Sequence, residues 1–125
     1  MDDLTKLERA VLDMLLAGGL PAAEMLRAHV RVGRVVERRM TGVGFFMTFA
    51  VPSDAPRGHG SFQLGDVLAK IEGLSHGAGF VLWVKNGALD ILEGYTFDEP
   101  WPDEILNFTV EYIDHREKDL QRLRG

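Results

Sequence analysis

No cysteine occurs among the 125 residues, which excludes a disulfide framework, a thiolate metal site and a cysteine nucleophile. No apolar run approaches the ~18 consecutive residues of a membrane span. The first residues, Met1-Asp2-Asp3, are acidic where a secretory signal would be basic. Surplus positive charge is missing too. The formal net charge is −5, whereas duplex binders need excess cation to displace counterions from phosphates. These absences lead to the expectation of a soluble, cytoplasmic chain with no membrane attachment and no nucleic-acid partner. What remains, 46% hydrophobic and 26% charged residues, suits one globular domain over 1–125. A chain of this size buries roughly two-thirds of its unfolded surface, and its composition is too apolar for disorder.

The charge is uneven. Residues 1–62 hold eight Lys/Arg against seven Asp/Glu, and residues 63–125 hold six against twelve. Arg27, Arg31, Arg34, Arg38 and Arg39 fall close together, with Glu37 the only acid among them. The ordinary expectation is that this cluster pairs with the acidic second half, within one molecule or across a dimer. A bound phosphate or an acidic partner is the alternative.

Apolar periodicity predicts a helix over 4–16, with Leu4, Leu7, Val11, Met14 and Leu15 on one face and Asp3 as its N-cap. Gly18 and Gly19 end it. Pro21 opens a second helix through 22–29. Valines 30, 32, 35 and 36 then favour a strand over 32–40. Thr41-Gly42 forms a turn, and 43–51 alternates with period two, its apolar face carrying Val43, Phe45, Met47, Phe49 and Val51. Residues 52–61, rich in Gly and Pro, read as a mobile solvent loop. A short strand is expected over 66–72, a further strand around Phe108, Val110 and Tyr112, and a charged terminal helix over 114–123.

Residues 78–97 form a hairpin, because two alternating runs flank Asn86-Gly87, the favoured pair for a type I′ turn. A uniform register pairs Lys85 with Ala88, Trp83 with Asp90, Phe80 with Glu93 and Gly79 with Gly94. One face then carries Phe80, Leu82, Val84, Leu89 and Ile91, followed by Glu93, Tyr95 and, without a bulge, His76. A carboxylate on a core face needs a partner or water, so Glu93 becomes the most informative ionisable residue. The other face carries Trp83. Either the N-terminal helix covers it or it makes a dimer contact. Facing glycines at 79 and 94 would leave a notch for a ligand or another backbone.

His76, Glu93 and Tyr95 are the candidates for acid–base chemistry, since a histidine oriented by a carboxylate is a common catalytic device. A structural polar network is the commoner use of such residues. Glu72, His76, Glu93, Asp98 and His59 match no metal-ligand spacing, and no metal or cofactor is expected. The serines at 53, 61 and 75 lie in no nucleophile motif. The stretch 98–104 sets Trp101 between two prolines and four acids, Asp98 and Glu99 among them. It reads either as a surface for a basic partner or as a plug at the end of the sheet.

Thr41-Gly42-Val43-Gly44-Phe45-Phe46, Leu64-Gly65-Asp66-Val67, the run Gly73 to Phe80 (Gly-Leu-Ser-His-Gly-Ala-Gly-Phe) and the run Leu92 to Pro102 (Leu-Glu-Gly-Tyr-Thr-Phe-Asp-Glu-Pro-Trp-Pro) resemble the signature of a small bacterial domain family of unknown function. The resemblance spans roughly 41–102 and implies a compact bacterial α+β protein. It brings no activity or site residues with it. Small domains of this general kind include immunity proteins that neutralise toxins, by analogy only.

The sequence therefore predicts an α+β fold, with two N-terminal helices packed on a mainly antiparallel sheet of five or six strands and a short C-terminal helix. The expected function is a non-catalytic binding or protein-interaction domain, homodimeric, using Trp83, Gly79, Gly94, Asp98, Glu99 and Trp101. An immunity-type inhibitor of a basic protein is one concrete form. The alternative is a small hydrolase or lyase with a His76/Glu93 pocket at the sheet end.

Overall fold

The computed structural model describes residues 1–125. Helix α1 spans Lys6–Leu15 and buries Leu7, Val11 and Leu15 of the face that the periodicity marks, together with Leu12, while Leu4 and Met14 are half-buried. Its N-cap is Thr5 rather than Asp3. The Glu8 N–H donates to Thr5 Oγ1 at 3.1 Å, and the Thr5 N–H donates to Glu8 Oε1 at 2.9 Å. This reciprocal box satisfies two orphan N–H groups at once, where Asp3 could satisfy only its own share. At the other end two arginines cap the helix. Arg27 donates to the carbonyls of Leu16 and Gly18, and Arg116 to those of Leu15 and Ala17. Cations suit this negative end of the helix dipole.

Helix α2 covers Pro21–Val32, so the helix runs through Val30 and Val32 despite their β-branching. The strands are β1 (Arg34–Met40), β2 (Gly44–Ala50), β3 (Phe62–Leu64), β4 (Val67–Ile71), β5 (Ala78–Lys85), β6 (Ala88–Thr96) and β7 (Phe108–Tyr112). Every pairing is antiparallel, in the order β1-β2-β6-β5-β4-β7, and β3 shares one side of β5 with β4. Strand β3 has three residues, too few for an alternation to be read. Helix α3 spans Glu117–Arg124. It starts late because Asp114, His115 and Arg116 adopt left-handed φ values of 48°, 57° and 56°. That turn sends Arg116 back to α1.

The hairpin turn is as expected, with φ of 51° at Asn86 and 76° at Gly87. The uniform register is not. Lys85 pairs with Ala88 and Val84 with Leu89, but Trp83 pairs with Ile91, Val81 with Glu93, Phe80 with Gly94 and Gly79 with Tyr95. A bulge leaves Asp90 unpaired, and every later side chain of β6 changes face. The reason is energetic. The bulge buries Leu92 and removes the Glu93 carboxylate from the core, where burial without a partner is costly.

The loop 52–61 is also tied down rather than free. Arg57 donates to the carbonyls of Val51, Pro52 and Ala55 at 3.0–3.1 Å. The Gly58 N–H donates to Gly87 O, and the Gly87 N–H to Gly60 O. Buried His29 meets Pro56 O at 2.6 Å. The loop's polar backbone thus finds partners on α2 and the hairpin turn.

One cluster of 21 buried residues joins the helices to a single face of the sheet. Phe45, Met47, Leu64, Phe80, Leu82 and Leu92 from the strands meet Leu12, Leu15, Leu16 and Leu26 from the helical side.

Candidate functional site

All three helices lie on one side, so the opposite face of the sheet has no cover. Strand pairing lays its side chains out in rows. Arg39, Phe46, Glu93 and Val81 form one row across β1, β2, β6 and β5. Glu37, Thr48, Ile91, Trp83 and Gln63 form the next. Tyr95, Gly79, Leu68 and Glu111 form a third. Phe46, Leu68, Val81, Trp83, Ile91 and Tyr95 neither join the core nor pack against it. Trp83 is 37% exposed and Phe97, edge-on to Tyr95, is 41% exposed. Helix α1 does not cover Trp83, because it packs on β4 and β7 from the other side.

Of the charges on this face, Glu111 is paired with Lys70, while Glu37, Arg39 and Glu93 have no ion-pair partner. The ion pairs of the chain are Arg38–Glu8, Lys70–Glu111 and Arg122–Asp119. Arg39 and Glu93 belong to none of them. The Arg39 guanidinium carbon lies 5.1 Å from the Phe46 ring centroid, a cation–π arrangement. Partial burial, and after it the nearby Glu93 carboxylate, pushes the Tyr95 hydroxyl above its ordinary range.

The two glycines do not form a shared notch. Gly79 faces outward beneath the Tyr95 ring, where a Cβ would come within 2.5 Å of Tyr95 Oη. Gly94 faces inward beneath the Phe45 ring, where a Cβ would come within 2.9 Å of Phe45 Cζ. Each space is filled by the protein's own aromatic ring.

His76 sits in the turn before β5. Its backbone N–H and that of Ser75 donate to the Glu99 carboxylate at 3.1 and 2.9 Å. The Ser75 N–H in particular holds Glu99 below the usual carboxylate range. Glu99 therefore fastens the turn to the 97–101 segment. The structure brings Glu93 and Tyr95 onto one face but leaves His76 out. Glu93 pairs with Val81, and three residues of strand, about 10 Å, separate Val81 from the start of β5. His76 shares its surface depression with Lys70, Glu72, Asn107 and Glu111, and Glu93 is not part of it.

Trp101 packs edge-on against Phe45, with centroids 5.3 Å apart, and its backbone N–H donates to Gly42 O at 2.8 Å. Its indole is a plug on the helical side, while Asp98, Asp103 and Glu104 remain exposed. The arginine cluster divides by role. Arg27 caps α1. Arg38 makes a two-pronged contact with buried Glu8 at 2.8 and 3.0 Å. No ion pair within the chain joins the cluster to the acidic half, because β1 lies at the opposite edge of the sheet from β4 and β7.

Arg39 and Phe46 are the site residues that sequence reasoning missed. The usable signal was Phe46 itself, a large aromatic on the otherwise small and polar face of the 43–51 alternation. No group of three or more His, Asp or Glu side chains is placed to hold a metal ion, and no helix is long and apolar enough to cross a membrane. Comparison with protein-family models, curated proteins and solved structures finds no match.

Proposed function

We propose that the chain is a non-catalytic protein-interaction domain whose binding surface is the helix-free face of the sheet. One observation carries this reading. Phe46, Leu68, Val81, Trp83, Ile91 and Tyr95 form a contiguous group outside the core. A half-buried antiparallel sheet ordinarily presents polar residues to water, and a joined apolar group with aromatic anchors is the composition of an interface.

Hydroxyl-radical footprinting tests it. Trp83, Tyr95 and Phe97 should be protected in cells that naturally express the protein, relative to dilute purified protein. Leu106, 72% exposed and on the helical side of the molecule, serves as the internal reference. Equal labelling of the three rings in both settings would overturn the proposal.

A further inference from the structure

We infer that the occupant of the β1-β2-β6 part of this face is a second copy of the same chain, related by a twofold axis running along β2. The inference rests on the reading of the face as a binding surface and adds the identity of the partner.

One row of the sheet carries two opposite charges. Arg39 on β1 and Glu93 on β6 stand on either side of Phe46 on β2, each about 4.8 Å away across the ladder. Neither has an ion-pair partner in its own chain. Covering the face would desolvate both charges, and a desolvated charge without a partner is strongly unfavourable. A basic partner would answer Glu93 and repel Arg39. An acidic partner would do the reverse. A second copy carries both signs at the spacing required.

The symmetry makes the match specific. A twofold axis between two stacked sheets, parallel to β2, exchanges the positions of β1 and β6. Arg39 of each copy then lies over Glu93 of the other, and the Arg39–Phe46 stack of each copy lies beside the axis. The interface is isologous, so it closes at two copies. Stacked sheets lie about 10 Å apart, a gap that an arginine and a glutamate side chain span together. Trp83, one strand beyond β6, flanks the partner copy's β1 at the rim.

Edge-to-edge pairing through β1 is the competing route to a dimer. That edge is blunted by the irregularity between Val35 and Glu37 and by Arg34, Arg38 and Arg39. Both are devices that oppose strand addition.

The test is a charge exchange, read by native mass spectrometry and sedimentation from micromolar to millimolar concentration. The wild-type chain should dimerise reversibly. Arg39→Glu and Glu93→Arg should each weaken the dimer at least 100-fold, because each places like charges in contact. An equimolar mixture of the two variants should form a heterodimer, and the double variant should recover the homodimer. Recovery also shows that the single variants are folded. A wild-type protein that stays monomeric, single variants that dimerise like wild type, or a mixture that fails to recover the dimer would each overturn the inference. If the protein is monomeric yet Trp83 and Tyr95 are protected in cells, the second copy is wrong and the interaction surface stands. If they are not protected either, both readings fall.

Discussion

Replacing Gly94 by alanine should cost the protein about 2–4 kcal/mol of stability, and the reason lies in what surrounds that Cα. An added Cβ would stand 2.9 Å from Phe45 Cζ and 3.0 Å from Phe45 Cδ1. Phe45 is 3% exposed and braced edge-on by Trp101 at 5.3 Å, so its ring has nowhere to turn. Overpacking of this kind costs roughly 1–3 kcal/mol, and disturbing the aromatic pair adds about 0.5–1.5 kcal/mol. The same substitution at Gly79 meets only Tyr95, whose ring lies on the open face and can swing outward, so about 1 kcal/mol is expected. Urea unfolding followed by tryptophan fluorescence measures both, with the midpoint moving and the slope unchanged. In a chain of this size each kcal/mol shifts the melting temperature by roughly 4 °C. A Gly94→Ala variant within about 0.5 kcal/mol of wild type, or equal to Gly79→Ala, would mean that Phe45 is not pinned against Gly94. In the uniform register the two glycines oppose each other and neither lies beneath a ring. The difference between the two variants therefore reports the bulge at Asp90.

Arg38→Ala should destabilise by about 3 kcal/mol, since it strands the buried Glu8 carboxylate, whereas Arg39→Ala in dilute monomer should change stability by less than about 0.5 kcal/mol. Denaturant midpoints of the two single variants check this pair. Burial holds Asp119 above the ordinary aspartate value of 3.8, with the Gly65 and Asp66 N–H groups pulling the other way. The folded state thus binds that proton more tightly than the unfolded chain. Its contribution is full below the ordinary value and is lost as pH rises through the raised one. The stability of wild type relative to Asp119→Asn should accordingly fall as pH rises above the ordinary aspartate value of 3.8. Urea midpoints at matched pH decide it, and a rise would mean that the N–H donors outweigh burial. His115→Gly should raise the melting temperature, because glycine relieves about 1 kcal/mol of left-handed strain at φ 57°. A calorimetric scan showing no gain would place the strain elsewhere.

Much of the architecture was legible. The three- and four-residue recurrence of Leu7, Val11 and Leu15 marks α1, and Asn86-Gly87 marks the hairpin. The capping box was legible as well, since Thr5 and Glu8 stand at its characteristic spacing, although Asp3 is itself a favoured N-cap type. Arg116 capping α1 was not legible, because its partners lie 99 and 101 residues away. The site was half legible. Trp83 stood out because its hairpin is apolar on both faces. The neighbours of Glu93 did not, because one unpaired residue reverses every side chain that follows it.

Near neighbours along the chain set the helix and strand periods and the turn that closes the hairpin, and composition makes the chain too apolar to remain unfolded. These follow from backbone sterics and side-chain spacing, which act over a few residues. Where the bulge falls, which sheet face the helices cover and which arginine meets which acid are settled by contacts between distant segments. Those choices compare the cost of burying a charge such as Glu93 with the cost of breaking a ladder at Asp90. That comparison exists only once distant segments meet, as Glu8 and Arg38 do across 30 residues.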